Sequence, residues 1–149
     1  MLFTIFLLGC GAAATTGALF EPGDWYDNMD KPPWTPPKLV FPLAWTFLYI
    51  AMSVAAARVA VLDGSAYAMA FYAVQLAFNT LWTPVFFGLK RMGTGMVVIL
   101  FLWATVAATM LSFFALDFVA GLLFVPYLVW VTIASALNYS VWKRNPVAA

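Results

Sequence analysis

The chain has 149 residues, of which 65% are hydrophobic and only 9% charged, with a mean hydropathy of +0.94. Soluble domains carry about 25% charged residues, so this composition excludes one and specifies a polytopic membrane protein. The net charge of +1, the single cysteine Cys10 and the absence of histidine exclude a nucleic-acid partner, an internal disulfide and a multi-cysteine metal site. They also remove the usual general base near neutral pH.

With no water in the hydrocarbon, only helices or closed barrels satisfy the backbone. The apolar runs here approach about 20 residues without alternation, the length of a spanning helix. The first runs from Met1 to Phe20, rich in Gly and Ala. It lacks the positive n-region of a secretion signal and reads as the first span. Next comes the sole long connection, residues 21–38, which contains Lys31–Lys38, KPPWTPPK. Prolines this dense cannot form helix interior, because each lacks an amide hydrogen and clashes with the preceding turn. The segment reads as a stiff cover, a lid over the bundle with Trp34 pointing inward and Lys31 and Lys38 suited to a phosphate or a propionate.

Its acidic residues, Glu21, Asp24, Asp27 and Asp30, share a three-residue spacing. They read as solvated loop charges offset by the lysines, so no metal site is expected. Four further spans follow: about 39–62, 66–88, 94–116 and 118–142, joined by short polar turns. Short joints force antiparallel neighbours, and no internal repeat of the kind found in transporters is visible.

Six basic residues, Lys31, Lys38, Lys90, Arg91, Lys143 and Arg144, fall on one side of this arrangement, and only Arg58 falls on the other. The positive-inside rule then predicts an all-α integral membrane protein, a single domain of five transmembrane helices over residues 1–149, N-terminus outside and C-terminus inside. No charged residue sits in the middle of a span, which argues against an ion-coupled pump.

The third span carries the clearest pattern. At about 100° per residue, Gln75, Asn79, Trp82 and Phe86 fall on one face, and Ala66, Ala70, Ala73 and Ala77 on the opposite face. Amides need partners away from acyl chains, so the first face is expected to point inward. Small residues let helix backbones approach closely in lipid, so the alanines suit either a second subunit or a neighbour within the bundle. Phe41, Trp45, Tyr49 and Met52 align on the second span, and Tyr127, Trp130, Ala134, Leu137 and Asn138 on the fifth. Should these faces converge, they outline an apolar, aromatic chamber with a few neutral hydrogen-bonding groups, suited to a flat hydrophobic ligand. The alternative is ordinary bundle core or interfacial aromatic belts.

Several segments, in order, carry a family likeness: WYDNMDKPPWTPP at 25–37, FPLAWTFLYIAM at 41–52, QLAFNTLWTPVFFG at 75–88 and PYLVWVTIASALNYSVWKRN at 126–145. Together they resemble the tryptophan-rich sensory protein, or translocator protein, family across essentially the whole chain. The resemblance implies a five-helix membrane bundle, commonly a homodimer, with no obligatory cofactor. It implies binding of porphyrins such as protoporphyrin IX and haem, and also of sterols and benzodiazepine-type ligands. By matching positions the pocket would use Trp45, Tyr49, Asn79, Trp82, Trp130, Ala134 and Leu137 beneath Trp34. Light-dependent porphyrin breakdown, if the chain performs it, would fall to Trp45 and Trp130. No nucleophile–base pair for hydrolysis is visible.

The family's sterol pattern falls on Leu137, Tyr139 and Lys143, though such patterns are loose. Thr35 stands where mammalian members carry a histidine, so any role of that histidine does not transfer. Without histidine as axial ligand, ring contacts and peripheral hydrogen bonds are expected to hold iron and metal-free porphyrins about equally. The compact length and the family likeness favour a bacterial membrane, leaving inner and outer membranes both open.

Overall fold

A computed structural model describes residues 1–19, 26, 28–37 and 39–145. They form five helices: α1 Leu2–Leu19, α2 Val40–Ala60, α3 Ala66–Thr83, α4 Met92–Leu116 and α5 Phe118–Arg144. No strand occurs among the described residues. By length and composition, three of these helices (α2, α4 and α5) can cross a membrane, while Leu2–Thr15 forms a shorter apolar stretch. At about 1.5 Å per residue, the 27 residues of α5 and the 25 of α4 exceed a hydrocarbon core of about 30 Å.

The chain is a membrane helical bundle. Its outer surface carries Leu43, Phe47, Val97, Phe101, Leu122 and Val129 exposed, which is tolerable only where lipid replaces water. Inside, α4 and α5 bury Ile99, Leu102, Val106, Phe113, Phe124 and Val131.

The joints fall close to their expected places, with two differences of physical interest. α3 stays helical to Gly88 but widens into a π turn over Pro84–Gly88. Pro84 lacks an amide hydrogen and its ring crowds the carbonyl four residues back. The chain instead closes longer rings, with Leu89 N donating to Pro84 O at 2.8 Å and Arg91 N to Val85 O at 3.2 Å. The turn ends at Lys90, whose φ of +57° is left-handed. α2 ends at Ala60, before the expected Leu62, and Gly64 at φ +79° turns the chain into α3.

Contacts remote in sequence assign the ends of the bundle. Asp30 N donates to Asn145 Oδ1 at 3.0 Å, and Asn145 Nδ2 returns a bond to Asp30 O at 2.9 Å. The first connection and the end of α5 therefore share one end. At the other end, Arg58 Nε and Nη2 donate to the two Asp117 carboxylate oxygens at 2.5 and 3.3 Å. This fork ties the end of α2 to the α4–α5 joint and neutralises the lone basic residue on that side.

Hydrogen bonding from Arg58 lowers the Asp117 carboxyl below its ordinary value of 3.8. A lowered folded-state pKa contributes stability above the unfolded value, and this is lost as pH falls through the folded one. Acid titration of thermal stability is therefore expected to show a loss in the wild type below about pH 4 that Asp117→Asn lacks. The two curves should meet at the acid end. Parallel curves would show that the fork contributes nothing.

Candidate functional site

The two faces of α3 are separated in the structure: Gln75, Asn79, Trp82 and Phe86 are buried, and Ala66, Ala70, Ala73 and Ala77 are all exposed. Four residues apart on one face, Gln75 and Asn79 reach the same neighbour on α5. Tyr127 Oη accepts from Asn79 Nδ2 at 2.6 Å and donates to Gln75 Oε1 at 2.7 Å. From α2, Tyr49 Oη donates to Asn79 Oδ1 at 2.9 Å. Each hydroxyl proton and each amide oxygen in this chain has a partner. Gln75 Nε2 faces the softer Met52 sulfur at 4.0 Å. Neutral groups linked in this way fix three helices against one another without placing a charge in the bundle interior.

Aromatic rings flank the polar chain. Trp45 stacks on Tyr49 at 5.7 Å between centroids, and meets Tyr127 at 6.1 Å and Trp130 at 6.4 Å edge-on. Phe41 packs edge-on against Trp130 at 5.6 Å. These separations suit attractive ring pairs. One polar atom stands apart: Trp130 Nε1 is buried and has no hydrogen-bond partner among the described residues. An indole N–H without an acceptor is costly in an apolar interior.

Apart from Trp34, the expected ligand-binding residues lie in and around one continuous core, within which the polar ones form two hydrogen-bonded groups. Trp45, Tyr49, Gln75, Asn79, Tyr127 and Trp130 make up the first, the bonded and ring-packed group just described. Trp82, Phe86 and Asn138 form a second cluster nearer the α3–α4 joint. There Trp82 Nε1 donates to Asn138 Oδ1 at 3.1 Å, Asn138 Nδ2 donates to Met92 O at 2.9 Å, and Trp82 stacks on Phe86 at 5.3 Å. Their hydrogen-bonding groups hold α3, α4 and α5 together. Ala134 and Leu137 are buried on α5 between the two clusters.

Trp34 departs from expectation, for it is 50% exposed rather than directed into the bundle. The cause is a tight turn. Thr35 N and Oγ1 both donate to Pro32 O, at 3.1 and 2.6 Å, with Pro33 and Trp34 at the corner, where proline favours the first position. Lys31 is half-buried beside Tyr26. Its Nζ donates to Tyr26 O at 2.9 Å and lies 4.8 Å over the Tyr26 ring. Lys38, Glu21, Asp24 and Asp27 lie outside the described residues. In the sterol pattern Leu137 is buried while Tyr139 and Lys143 lie outside, because two residues of helix rotate a side chain by about 200°.

Sequence reasoning missed a polar knot between α1, α2 and α3. Ser53 Oγ donates to Cys10 Sγ at 3.5 Å, and Cys10 Sγ lies 3.6 Å from Tyr72 Oη. The only signal was the burial demand of three small polar groups within apolar spans.

Comparison with known proteins fits this architecture. The family profile described as TspO/MBR family matches residues 3–143. Over 144 residues the chain is 62% identical to the tryptophan-rich sensory protein of Cereibacter sphaeroides, covering 97% of this chain and 91% of that protein. Protein CrtK of Rhodobacter capsulatus is 52% identical over 149 residues, with 97% and 93% covered. The translocator protein of Homo sapiens is 34% identical over 146 residues, with 93% and 84% covered. Matched along nearly its full length, the chain belongs to the TspO/MBR family.

Proposed function

We propose that this protein is a five-span membrane receptor, N-terminus outside and C-terminus inside, that binds a porphyrin or another flat apolar ligand in the chamber between α2, α3 and α5. The observation that carries the reading is the buried, unpartnered Trp130 N–H beside Trp45 and Phe41. Around it, the side-chain amides and hydroxyls of Tyr49, Asn79 and Tyr127 are matched among themselves. An acceptor on a planar ligand would satisfy the indole, while the surrounding rings supply stacking area. The names of the relatives, a tryptophan-rich sensory protein and a translocator protein, support sensing or movement of such a ligand. Histidine is absent from the chain, so ring contacts rather than axial ligation would dominate. The exposed alanine face of α3 suits a second copy in a homodimer, in a bacterial membrane.

Titration of purified protein with protoporphyrin IX is expected to quench tryptophan fluorescence saturably. Removing the single indole donor in Trp130→Phe should weaken binding about tenfold, the worth of one hydrogen bond, with thermal stability retained. Haem should bind within about tenfold of the metal-free ring. Undiminished affinity in Trp130→Phe would sink this site.

The proline-rich connection allows a separate check. Proline restrains the unfolded and open chain, so replacing Pro36 and Pro37 with glycine should loosen the cover over the chamber. Faster porphyrin release with little change in thermal midpoint is the expected result. Equal losses of binding and stability would reduce the segment to a structural staple.

A further inference from the structure

The basic residues at one end of the bundle come from two places far apart in sequence, and the fold brings them to one corner. Asn138 on α5 donates to Met92 O at the start of α4, and a side chain at Gly93 would meet the Trp142 indole at 3.5 Å. The start of α4 therefore lies against the end of α5. This brings Lys90 and Arg91 to the same end of the α4–α5 pair as Lys143 and Arg144, all four exposed. Of the described carboxylates, only Asp30 reaches this corner, 3.8 Å from Arg144. Asp117 sits at the opposite end with Arg58, and Asp63 lies in the α2–α3 joint, also at that end.

The corner also has an interfacial character. Lys143 Nζ lies 5.1 Å from the Trp142 ring and 5.6 Å from the Tyr139 ring, an aromatic pair of the kind that settles at headgroup level. Directly along α4 from the charged rim, Val97 and Phe101 are exposed. A cationic rim that continues into an apolar wall fits a molecule with a phosphate at one end and acyl chains at the other.

We infer that the corner formed by Lys90, Arg91, Lys143 and Arg144 is a binding surface for an anionic phospholipid headgroup. The phosphate sits among the four cations, and its acyl chains lie against the outer face of α4. Orienting the bundle by general charge bias needs only that the cations lie on one side. Retaining a particular lipid needs them gathered at one helix end, and the α4–α5 contact brings both pairs there. This inference is independent of the porphyrin reading, since it uses neither the chamber nor its aromatic rings.

The test uses the whole protein in nanodiscs of equal phosphatidylglycerol and phosphatidylcholine, from which it is released into a mass spectrometer under non-denaturing conditions and the retained lipids counted. The wild type is expected to retain phosphatidylglycerol over phosphatidylcholine by more than tenfold. A cation near an anionic surface contributes about fivefold, so Arg91→Gln and Lys143→Gln should each lower the ratio by about that factor. Arg91→Lys, which keeps the charge, should preserve it, and Arg58→Gln at the far end should leave it unchanged. Thermal midpoints in pure phosphatidylcholine separate these effects from misfolding. Equal retention of the two lipids by the wild type would overturn the inference. So would a loss in Arg58→Gln matching that in Lys143→Gln, or displacement of the lipid by millimolar inorganic phosphate, which would make the corner a free-anion site.

Discussion

Replacing Tyr127 with phenylalanine is expected to destabilise the bundle by about 1–3 kcal/mol. The hydroxyl accepts from Asn79 at 2.6 Å and donates to Gln75 at 2.7 Å, so its loss leaves one amide donor and one amide acceptor unmatched at once. Each such group costs about 1–3 kcal/mol in a soluble interior. Interhelical hydrogen bonds in membranes average nearer 0.6 kcal/mol, because the unfolded chain also finds partners. The two costs together therefore fall in the stated range rather than at the top of the soluble scale. Tyr139→Phe is the control, since Tyr139 is half exposed on the outer face of α5. A thermal midpoint for Tyr127→Phe no lower than that of Tyr139→Phe would show that the polar chain does not hold the helices. Combining Tyr127→Phe with Gln75→Leu removes the stranded acceptor together with its former donor. The double variant should lose less than the sum of the singles, as coupled neighbours do.

That polar chain also marks where sequence reasoning ends. Gln75 and Asn79 could be placed on one inward face from their spacing, because an α-helix repeats every 3.6 residues and amides avoid lipid. Their partner could not be named. Tyr127 lies 52 residues from Gln75, and periodicity carries no information about which helix faces which. The separate hydrogen bonding of Trp82 with Asn138, and of Asn138 with the start of α4, was hidden for the same reason. Trp82 and Asn138 share inward faces with the chamber residues, and only their height along α3 and α5 separates them. The outward Trp34 had a local cause that was legible in principle. Pro33 sets the first corner position of a turn closed by Thr35, and a residue at the second corner projects away from the closing bond. The expectation of an inward Trp34 gave weight to the stiffness of the prolines and too little to the direction of the turn they make. Composition fared best, since a chain this apolar has few ways to satisfy its backbone.

The second large effect is expected where a short joint presses two helices together. Gly121 and Phe114 are only seven residues apart, but the extended backbone at Asp117 (φ −153°, ψ 114°) reverses the chain between them. A Cβ at Gly121 would lie 2.3, 2.4 and 2.7 Å from Cγ, Cδ1 and Cδ2 of Phe114. Cγ sits at the base of the ring, so rotation about the ring axis cannot clear it. Either Phe114 must leave its rotamer or α4 and α5 must move apart. Overpacking of this kind costs about 1–3 kcal/mol, and here it acts on the helix pair with the most extensive buried core.

Three glycine substitutions should therefore form a graded series in thermal midpoint. Gly11→Ala, with open space around its Cβ, should be neutral or slightly stabilising, because alanine favours the helix by about 0.5–1 kcal/mol. Gly95→Ala meets Asn138 Oδ1 at 3.1 Å and Phe86 Cδ2 at 3.2 Å, so it should fall between the extremes and disturb the Trp82–Asn138 bond. Gly121→Ala should lose most. Adding Phe114→Ala should then restore part of that loss, because the half-buried ring is the obstacle and its removal opens the space the new methyl needs. A double variant less stable than Gly121→Ala alone would show that the ring is not what Gly121 accommodates. The close approach of α4 and α5 would then have to depend on backbone contacts beside it.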